Sequence, residues 1–319
     1  MRVSSIPDPT ISKSPKVLNG NTIAAEIQKE VAADVERLRS QGILPGLTVV
    51  MVGDHPASAV YVRNKVKTSA ALGIASKLLT PAASTTTDEM LSLIAELNGR
   101  EDVDGILVQL PLPAHIDSRR LLEAIAPEKD VDGFHPVNVG RLQTGQPALV
   151  PCTPAGIIQM LKRTGIPLAG QNAVVVGRSD IVGKPMAMLL LQANATVTIC
   201  HSKTKDLAAI CHSAEILVAA IGNPGTITPE MVRPGAVLID VGMNRITSHA
   251  EFDRFFAGDA RREATFREKG SVLMGDIDPH AFALASYYTP VPGGVGPLTI
   301  AMLMASTVRA ARLRRGLPV

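Results

Sequence analysis

The feature that most constrains this sequence is a regular alternation of short apolar runs, rich in β-branched residues, with longer amphipathic runs. The apolar runs LTVVMVG (47–53), DGILVQLPLP (104–113) and NAVVVG (172–177) have the length and composition of buried strands. The amphipathic runs at 24–42 and 57–73 have helical periodicity and end on glycine. This order predicts an α/β fold in which helices cover both faces of a parallel sheet.

The length of the chain predicts two domains, because 319 residues exceed what one hydrophobic core usually holds. A second strand–helix series begins near Pro151, where Thr153 is the expected N-cap of a helix. We expect the last helix, 297–315, to pack back on the first domain because its start is strongly apolar. The predicted division is an N-terminal extension at 1–16, a first domain formed by 17–150 and 297–319, and a Rossmann-like second domain at 151–296.

Composition excludes several classes of protein. A net charge of +3 is too small to favour nucleic acid or an anionic membrane surface, and 3% aromatic residues are too few for a base-stacking platform. Three cysteines without a CxxC pair indicate a reducing compartment, which favours the cytoplasm. No apolar run approaches the roughly 20 residues of a membrane helix, and the start of the chain does not resemble a signal peptide. The seven histidines lack the spacing of a metal site, so no metal is expected.

The most informative loop is VVVGRSDIVGKPM (174–186), in which one glycine follows a strand and the next opens a helix. A P-loop is disfavoured, because five residues separate Gly177 from Gly183 and Pro185 replaces the hydroxyl that binds magnesium. The loop is closer to the dinucleotide fingerprint, with Ser179 replacing the middle glycine and one residue added. A helix N-terminus there can bind a pyrophosphate. A tight turn without a ligand is the structural alternative.

The end of the next strand favours NADP over NAD. The segment CHSKT (200–204) lacks the acidic residue that binds the ribose 2′-hydroxyl of NAD and would repel a 2′-phosphate. Arg178, Ser202 and Lys203 can instead bind such a phosphate through charge-assisted hydrogen bonds. NADP is therefore the predicted cofactor.

Polar side chains interrupt two apolar segments of the first domain. Tyr61 and Lys65 are spaced i, i+4 and so share one face of a predicted helix. Gln109 lies at the carboxyl end of a buried strand, where ligands of open α/β sheets collect, and it can bond to Lys65 across a cleft. The structural alternatives are a boundary tyrosine beside a surface lysine, and a core glutamine satisfied elsewhere.

Two loops complete the set of candidate ligand-binding segments. The run TPVPGGVGPLT (289–299) makes a stiff backbone that allows close approach, which suits either a ligand site or an interdomain hinge. The loop PEKDVDGFHP (127–136) contains Asp130 and Asp132, although two loop acids alone carry little information.

Taken together, these segments closely resemble the bifunctional methylenetetrahydrofolate dehydrogenase/methenyltetrahydrofolate cyclohydrolase family. The matching segments run in family order from about Val17 to Val308: YVRNKVK, GILVQLPLP, PEKDVDGFHPVNVGRL, PCTPAGI, VVVGRSDIVGKPM, ATVTICHSKT, VLIDVGMN and TPVPGGVGPLTIAML. The resemblance implies oxidation of 5,10-methylenetetrahydrofolate with NADP, followed by hydrolysis of the methenyl product to 10-formyltetrahydrofolate. It also implies a cytoplasmic homodimer that takes part in one-carbon metabolism and purine biosynthesis.

The resemblance further implies roles for individual residues. Tyr61 matches the tyrosine that packs on the folate ring, Lys65 the catalytic lysine and Gln109 the glutamine paired with it. Asp132 matches the pterin-binding aspartate of the catalytic group. Substrate contacts are also implied for Pro292, Gly293 and Gly294. The implied NADP-binding positions are Gly177, Arg178, Ser179, Ile181, Gly183, Ser202 and Met243, the last of which is usually isoleucine in the family.

Two rival functions remain open at this point. One is a monofunctional NAD(P)-dependent dehydrogenase on the same fold, and the other is a nucleotide-binding module without turnover; the retained Tyr61, Lys65 and Gln109 argue for both activities. The segment at about 247–270 departs from the family, in which a short hairpin-like link is usual. It is charged, and we expect it to contain helix and to project from the nucleotide domain as a dimer contact or a surface insertion.

Overall fold

The structure is a computed structural model that describes residues 14–53 and 56–318. Most of the predicted N-terminal extension and His55 lie outside these residues. The strands are β1 (Lys16–Val17), β2 (Gly46–Val50), β3 (Ala75–Leu79), β4 (Gly105–Val108), β5 (Asn172–Val176), β6 (Thr196–Cys200), β7 (Ile216–Ala219), β8 (Val237–Asp240), β9 (Asn244–Ile246), β10 (Val272–Met274) and β11 (Tyr287–Tyr288).

The helices alternate with these strands along most of the chain. They are α1 (Gly20–Arg39), α2 (Pro56–Ala71), α3 (Thr87–Gly99), α4 (Ser118–Ala124), α5 (Pro136–Gln143), α6 (Cys152–Arg163), α7 (Gly183–Gln192), α8 (Leu207–His212), α9 (His249–Phe256), α10 (Ala260–Lys269) and α11 (Val295–Leu313). Short 3-10 helices lie at Pro229–Met231 and Pro279–Leu284. Among the described residues, no helix is both long enough and apolar enough to cross a membrane.

Among the described residues, nine of the strands form two parallel sheets, which confirms the predicted α/β class, and β9 and β10 form a separate antiparallel pair. The first sheet has the order β3-β2-β4, and the second has the order β1-β11-β8-β7-β5-β6. Strands β2 and β4 are buried along their whole length, as expected for strands covered on both faces. Lys16 and Val17 of β1 pair with β11, so the chain contributes to the second sheet before it reaches α1.

Helix α11 connects the two halves of the molecule. It packs against α1, α2, β2 and β4, as its apolar start predicts, and also against α6. One continuous apolar core includes side chains from α1, β2, α6, β5 and α11. The two sheets therefore share a core, although each has its own set of helices.

The simplest interpretation of RAARLRRG (309–316) in the sequence is a solvated helix end, but the arginines that follow α11 do more than this. Asp104, at the start of β4, is fully buried and accepts hydrogen bonds from Arg314 Nη1 at 2.5 Å and Arg315 Nη1 at 2.7 Å. Its second oxygen accepts from the Gly46 N–H at 3.0 Å. Asp104 thus anchors the end of α11 to the first sheet.

The predicted N-cap role of Thr153 is wrong. Helix α6 already begins at Cys152, after Pro151, and has no side-chain cap. The Thr153 hydroxyl forms a hydrogen bond of 2.8 Å with the Thr299 hydroxyl on α11. The Thr153 hydroxyl therefore bonds to a residue that is distant in the sequence, and not to the N–H groups at the start of its own helix.

The segment at 247–270 forms a helical pair between the antiparallel strands β9 and β10, as the expectation of helix requires. Helices α9 and α10 bury their own aromatic cluster, which consists of Phe252, Phe255, Phe256 and Phe266. With a small apolar core and capped helices, this segment is a folded unit rather than a loose loop.

Candidate active site

The predicted contact between Lys65 and Gln109 is present. Lys65 lies on α2, and its Nζ donates a hydrogen bond of 2.9 Å to Gln109 Oε1, just beyond the carboxyl end of β4. Gln109 Nε2 donates to the Leu110 carbonyl at 2.6 Å, which fixes the amide so that its oxygen faces the ammonium group. The half-buried lysine is thus held in one position at the edge of the first sheet.

The two aspartates of the following loop have different environments. Asp130 is buried and its carboxylate accepts from the His135 N–H at 2.8 Å and from Asn138 Nδ2 at 2.9 Å, so it organises the start of α5. Burial raises the pKa of Asp132 to about 6, while the positive charge of Lys65 lowers it and the negative charge of Asp130 raises it. Asp132 is therefore the acid that shares the electrostatic environment of Lys65.

Cys152 is a neighbour of this group that sequence reasoning did not select. It is buried at the start of α6, and its thiol donates to the Val131 carbonyl with a sulfur–oxygen distance of 3.4 Å. Burial strongly raises its thiol pKa, and the charge of Asp132 raises it further. The thiol is therefore uncharged and lies beside the Lys65 group. In the sequence, Cys152 was included only as part of the motif PCTPAGI.

Tyr61 and Met243 come from opposite halves of the fold and meet. Tyr61 lies one helical turn before Lys65, and its hydroxyl donates to Met243 Sδ, just after β8. Both side chains keep substantial exposure, 37% for Tyr61 and 43% for Met243. Burial raises the pKa of the Tyr61 hydroxyl, so it is protonated and able to donate at neutral pH.

The proline–glycine run lies against the start of α1. The Gly20 N–H donates to the Gly293 carbonyl at 2.9 Å, and a Cβ on Gly20 would lie 1.6 Å from the Gly294 carbonyl oxygen. Glycine at position 20 is thus required for the two backbones to approach this closely. The approach fixes the run at the entrance to α11.

A cleft of about 1170 Å³ brings together some of the predicted residues but not all of them. Tyr61, Met243 and Pro292–Gly294 line it. Lys65, Gln109 and Asp132 are not among its lining residues, and neither is the glycine loop of 174–186. Because Tyr61 and Lys65 share one helix face, the Lys65 group adjoins this cleft at the next helical turn.

The glycine loop has the tight geometry that a nucleotide site requires. Gly177 has φ of 132°, and a Cβ there would lie 2.1 Å from the Ala220 carbonyl oxygen. A Cβ on Gly183 would lie 2.2 Å from the Gly177 carbonyl oxygen. Ser179 Oγ accepts from the N–H groups of Val182 and Gly183 at 3.2 and 3.3 Å, so this serine, at the position of the fingerprint's middle glycine, holds the loop that leads into α7.

The polar residues predicted to bind a 2′-phosphate lie at the same edge of the second sheet. Strands β5 and β6 are parallel, with Val176 opposite Cys200, and the Gly177 N–H donates to the Cys200 carbonyl at 2.9 Å. The next residues are therefore brought alongside each other, and they are exposed: Arg178, Ser179, Ile181, Ser202 and Lys203. A glycine cradle, a helix N-terminus and two exposed cations fit a dinucleotide with an additional phosphate.

Two buried aspartates, which sequence reasoning also missed, organise the loops beside Met243. Asp240 accepts from the N–H groups of Gly242, Asp276 and Ile277, and burial raises its pKa to about 7. Asp276 accepts from three consecutive N–H groups after β7, those of Ile221, Gly222 and Asn223. The sequence signal for both residues is an acidic residue at or just after the end of an apolar run. Asp240 has this position in VLIDVGMN and Asp276 has it in MGDID.

Two family models match the chain. Residues 18–132 match "Tetrahydrofolate dehydrogenase/cyclohydrolase, catalytic domain", and residues 151–315 match "Tetrahydrofolate dehydrogenase/cyclohydrolase, NAD(P)-binding domain". A curated relative, the bifunctional protein FolD of Koribacter versatilis, is 62% identical over 300 residues, which cover 94% of this chain and 98% of the relative.

Solved structures give the same result. The bifunctional enzyme FolD, methylenetetrahydrofolate dehydrogenase/cyclohydrolase, from Campylobacter jejuni is 42% identical with a TM-score of 0.86, covering 94% of this chain and 100% of that chain. The N5,N10-methylenetetrahydrofolate dehydrogenase-cyclohydrolase of Trypanosoma brucei, complexed with NADP cofactor and inhibitor, is 36% identical with a TM-score of 0.84, covering 95% of this chain and 99% of that chain.

Proposed function

The chain belongs to the tetrahydrofolate dehydrogenase/cyclohydrolase family, and from that premise we propose which of its residues serve each reaction. The enzyme is bifunctional. It oxidises 5,10-methylenetetrahydrofolate to 5,10-methenyltetrahydrofolate with NADP, and it hydrolyses the methenyl compound to 10-formyltetrahydrofolate. The observation that carries the assignment of residues is the hydrogen bond of 2.9 Å between Lys65 and Gln109, beside Asp132.

Substrate binding is assigned to residues on both sides of this pair. The Asp132 carboxylate accepts hydrogen bonds from the N–H groups of the pterin, and Gln109 holds the reacting end beside Lys65. Tyr61 packs its ring on the aminobenzoyl ring of the folate. The backbone of Pro292–Gly294 closes the opposite side, since a run without bulky side chains lets the substrate approach.

The second sheet provides the NADP site in this proposal. The loop at Gly177 and the N-terminus of α7 at Gly183 hold the pyrophosphate, with Ser179 and Ile181 bordering it. Arg178 and Ser202 bind the 2′-phosphate, which an acid at this edge would repel. NADP held there would supply the hydride acceptor for the oxidation of the methylene carbon. Met243, in contact with Tyr61, aligns the two halves of the site for this transfer.

Hydrolysis of the methenyl carbon is assigned to Lys65 as general base. In its neutral form, Lys65 takes a proton from a water molecule while the water oxygen bonds to the methenyl carbon. The bond from that carbon to N5 then breaks and leaves its electron pair on N5. The hydroxyl proton of the adduct passes to N5 as the carbonyl forms, and the formyl group remains on N10. The Gln109 oxygen keeps the Lys65 nitrogen in place.

Replacement of the lysine separates the two reactions. We expect Lys65→Ala to reduce the hydrolysis rate by a factor on the order of 10²–10⁴, the usual contribution of a positioned general base. The measurement is a time course with methylenetetrahydrofolate and NADP that follows NADPH, methenyl and formyl products together. The wild type should form NADPH and formyl product with little methenyl compound. Unchanged hydrolysis by the variant would refute the role of Lys65.

We also propose a homodimer formed through the open edge of the second sheet. Strand β6 is the outermost strand, and Ile199 on it and Leu191 at the end of α7 are exposed apolar side chains, at 37% and 54%. Sedimentation velocity of the wild type and of Leu191→Glu tests this proposal. A monomeric wild type would exclude it.

The remaining proposals concern the location of the enzyme and the division of the chain. We propose that it acts in the cytoplasm and supplies formyl groups to purine biosynthesis; the three free, buried cysteines support a reducing compartment. We retain 17–150 with 297–319 as the catalytic domain and 151–296 as the NADP domain. The packing of α11 on α1, α2, β2 and β4 supports the discontinuous first domain.

A further inference from the structure

The loop after β7 is held by a buried carboxylate from another element. Asp276, which follows β10, accepts hydrogen bonds at Oδ2 from the Ile221 and Gly222 N–H groups at 2.6 and 2.9 Å. Its Oδ1 accepts from the Asn223 N–H at 3.0 Å and from Asn244 Nδ2, at the start of β9, at 2.9 Å. Asp276 is fully buried, so these four donors take the place of water around both oxygens. One side chain therefore joins the loop after β7 to the end of the loop after β8.

The three N–H groups of the β7 loop converge as they do in an anion-binding nest. Such nests form where successive backbone N–H groups point to one side, and many of them bind phosphate. Gly222, at the centre, has φ of 77°, which is the left-handed conformation that favours glycine. Here the Asp276 carboxylate fills the nest. The pyrophosphate therefore needs other donors, which agrees with its assignment to the loop at Gly177.

The β7 loop lies beside that proposed pyrophosphate site. The Ala220 N–H donates to the Val176 carbonyl at 2.8 Å, and a Cβ on Gly177 would lie 2.1 Å from the Ala220 carbonyl oxygen. In the order β8-β7-β5-β6, the ends of β7 and β8 lie on the side of β5 away from β6. A dinucleotide with its 2′-phosphate at β6 and its pyrophosphate at Gly177 therefore has its nicotinamide half over the loops after β7 and β8.

A second buried carboxylate holds Asp276 in turn. Asp240 Oδ1 accepts from the Asp276 N–H at 2.8 Å and from the Gly242 N–H at 3.0 Å, and Oδ2 accepts from the Ile277 N–H at 2.9 Å. The Asp240 N–H donates to the Thr289 hydroxyl at 2.7 Å, at the start of the proline–glycine run. The two carboxylates therefore fix the loops after β7 and β8 relative to each other.

We propose that Asp276 is a positioning residue for the dehydrogenase reaction, because it holds the β7 loop and Met243 in place for the nicotinamide half of NADP. The inference rests on the proposed NADP site. Met243 lies between Gly242 and Asn244, which the two carboxylates bind. The hydrolysis assigned to Lys65 consumes no NADP, so displacement of these loops affects one reaction and spares the other. Loss of Asp276 should thus separate the activities in the direction opposite to Lys65→Ala.

The test measures both reactions and cofactor binding in Asp276→Asn. An amide nitrogen in place of either oxygen would face two N–H donors, so we expect the β7 loop to shift. The dehydrogenase kcat should fall about 100-fold, as small misplacements of reacting groups do. Calorimetric titration with NADP alone should give a Kd about five- to tenfold higher. Hydrolysis of methenyltetrahydrofolate, measured without NADP, should stay close to the wild-type rate.

Gly222→Ala tests the loop without removing a buried carboxylate, and it keeps the proposal testable if Asp276→Asn does not fold. A Cβ at this position meets no other part of the chain within 4 Å, but φ of 77° is strained for alanine. We expect the same separation of the two reactions, with a smaller fall of about tenfold in the dehydrogenase kcat.

Asp104→Asn is the matched control for loss of stability. Asp104 is also a fully buried carboxylate with several donors, but it precedes β4, whereas the Lys65 group lies beyond the carboxyl end of that strand. Its replacement should change both rates by the same factor. Equal losses of both reactions in Asp276→Asn and Gly222→Ala would overturn the proposal, because they would indicate a structural role alone. An unchanged dehydrogenase in both variants would also overturn it.

The failure of the proposed function would look different. A wild type that binds NADP without forming NADPH would count against the reaction, and the titrations would then decide the role of Asp276. A higher Kd for NADP in Asp276→Asn and not in Asp104→Asn supports that role, and equal Kd values refute it. A wild type that does not bind NADP would overturn the positioning role together with the proposed cofactor site.

Discussion

At the scale of single residues, the environment gives two aspartates of one loop different tasks. Asp130 is satisfied by a backbone N–H and an asparagine side chain, whereas Asp132 shares the field of Lys65. The sequence could predict the pairing of Lys65 with Gln109, because helix spacing and the end of a strand are local patterns. It could not predict the tasks of Asp130, Cys152 or Asp240, since burial and distant N–H donors determine them.

A pKa of about 6 for Asp132 leads to a pH-dependent activity. The carboxylate form of Asp132, which we propose binds the pterin, predominates above pH 6, so we expect kcat/KM for the folate to fall as the pH drops below about 6. Asp132→Asn should lower kcat/KM and remove this dependence. The pH profile of the dehydrogenase reaction from pH 5 to 8 checks this, and a flat wild-type profile would contradict it.

Although Asp132→Asn should lower kcat/KM, the same variant should be more stable than the wild type. Folding raises the pKa of Asp132, so the native state binds more protons than the unfolded state between about pH 4 and 6, and stability falls as the pH rises through this range. Asp132→Asn lacks the ionisable carboxyl group and therefore does not lose this stability as the pH rises. We expect it to stabilise the protein at pH 8 by about 1–2 kcal/mol, and by less at pH 5. Urea unfolding at the two pH values measures the difference.

At the scale of elements, the helix α10 supports the proline–glycine run from outside either sheet. Arg262 Nη1 donates to the Leu273 carbonyl at 2.6 Å and Nη2 donates to the Val291 carbonyl at 2.8 Å, with the guanidinium carbon 4.3 Å from the ring centre of Phe256. One side chain thus joins α10, β10 and the residue before Pro292. The added segment is therefore connected to the proline–glycine run, which we propose contacts the substrate.

Removal of this connection should affect both stability and substrate binding. Arg262→Met loses two charge-assisted hydrogen bonds, so we expect a destabilisation of about 2–3 kcal/mol and a higher KM for the folate. Arg262→Lys should restore little of either, because an ammonium group lacks the planar fork that reaches both carbonyls. Arg267→Ala on the same helix should cost only about 0.5 kcal/mol. Equal effects at the two positions would contradict the connecting role.

Most long elements could be predicted from periodicity, and the exceptions have physical causes. Strand β5 and helix α11 lie within about two residues of their predicted bounds, because apolar period and length are local signals. The run 235–244 divides into β8 and the beginning of β9, since Asp240 turns the chain through its hydrogen bonds to Gly242 and Asp276. The two-residue strands β1 and β11 have no local pattern and exist through their pairing.

At the scale of the whole molecule, the shared core and the anchored C-terminal helix couple the two halves. Asp104, next to β4 of the first sheet, binds the two arginines that follow α11, and α11 also packs on α6. Asp104→Asn would leave partly buried guanidinium groups without their counter-charge. We expect a loss of about 3 kcal/mol and a single cooperative unfolding transition in both proteins.

Calorimetry and a spectroscopic denaturation curve provide the measurement for the whole molecule. Coincident transitions in the wild type and in Asp104→Asn would support one cooperative unit. Two separable transitions in the wild type would show that the halves unfold independently despite their common core.

The position of the helical pair α9–α10 also has an evolutionary consequence. The pair lies between β9 and β10, and neither parallel sheet requires it for its strand order. Its length and charge can therefore change without altering the strand order of either parallel sheet. Gly20 is the opposite case, because even a methyl group there would collide with Gly294. The helical pair and the close backbone contact at Gly20 can thus diverge at separate rates within one gene.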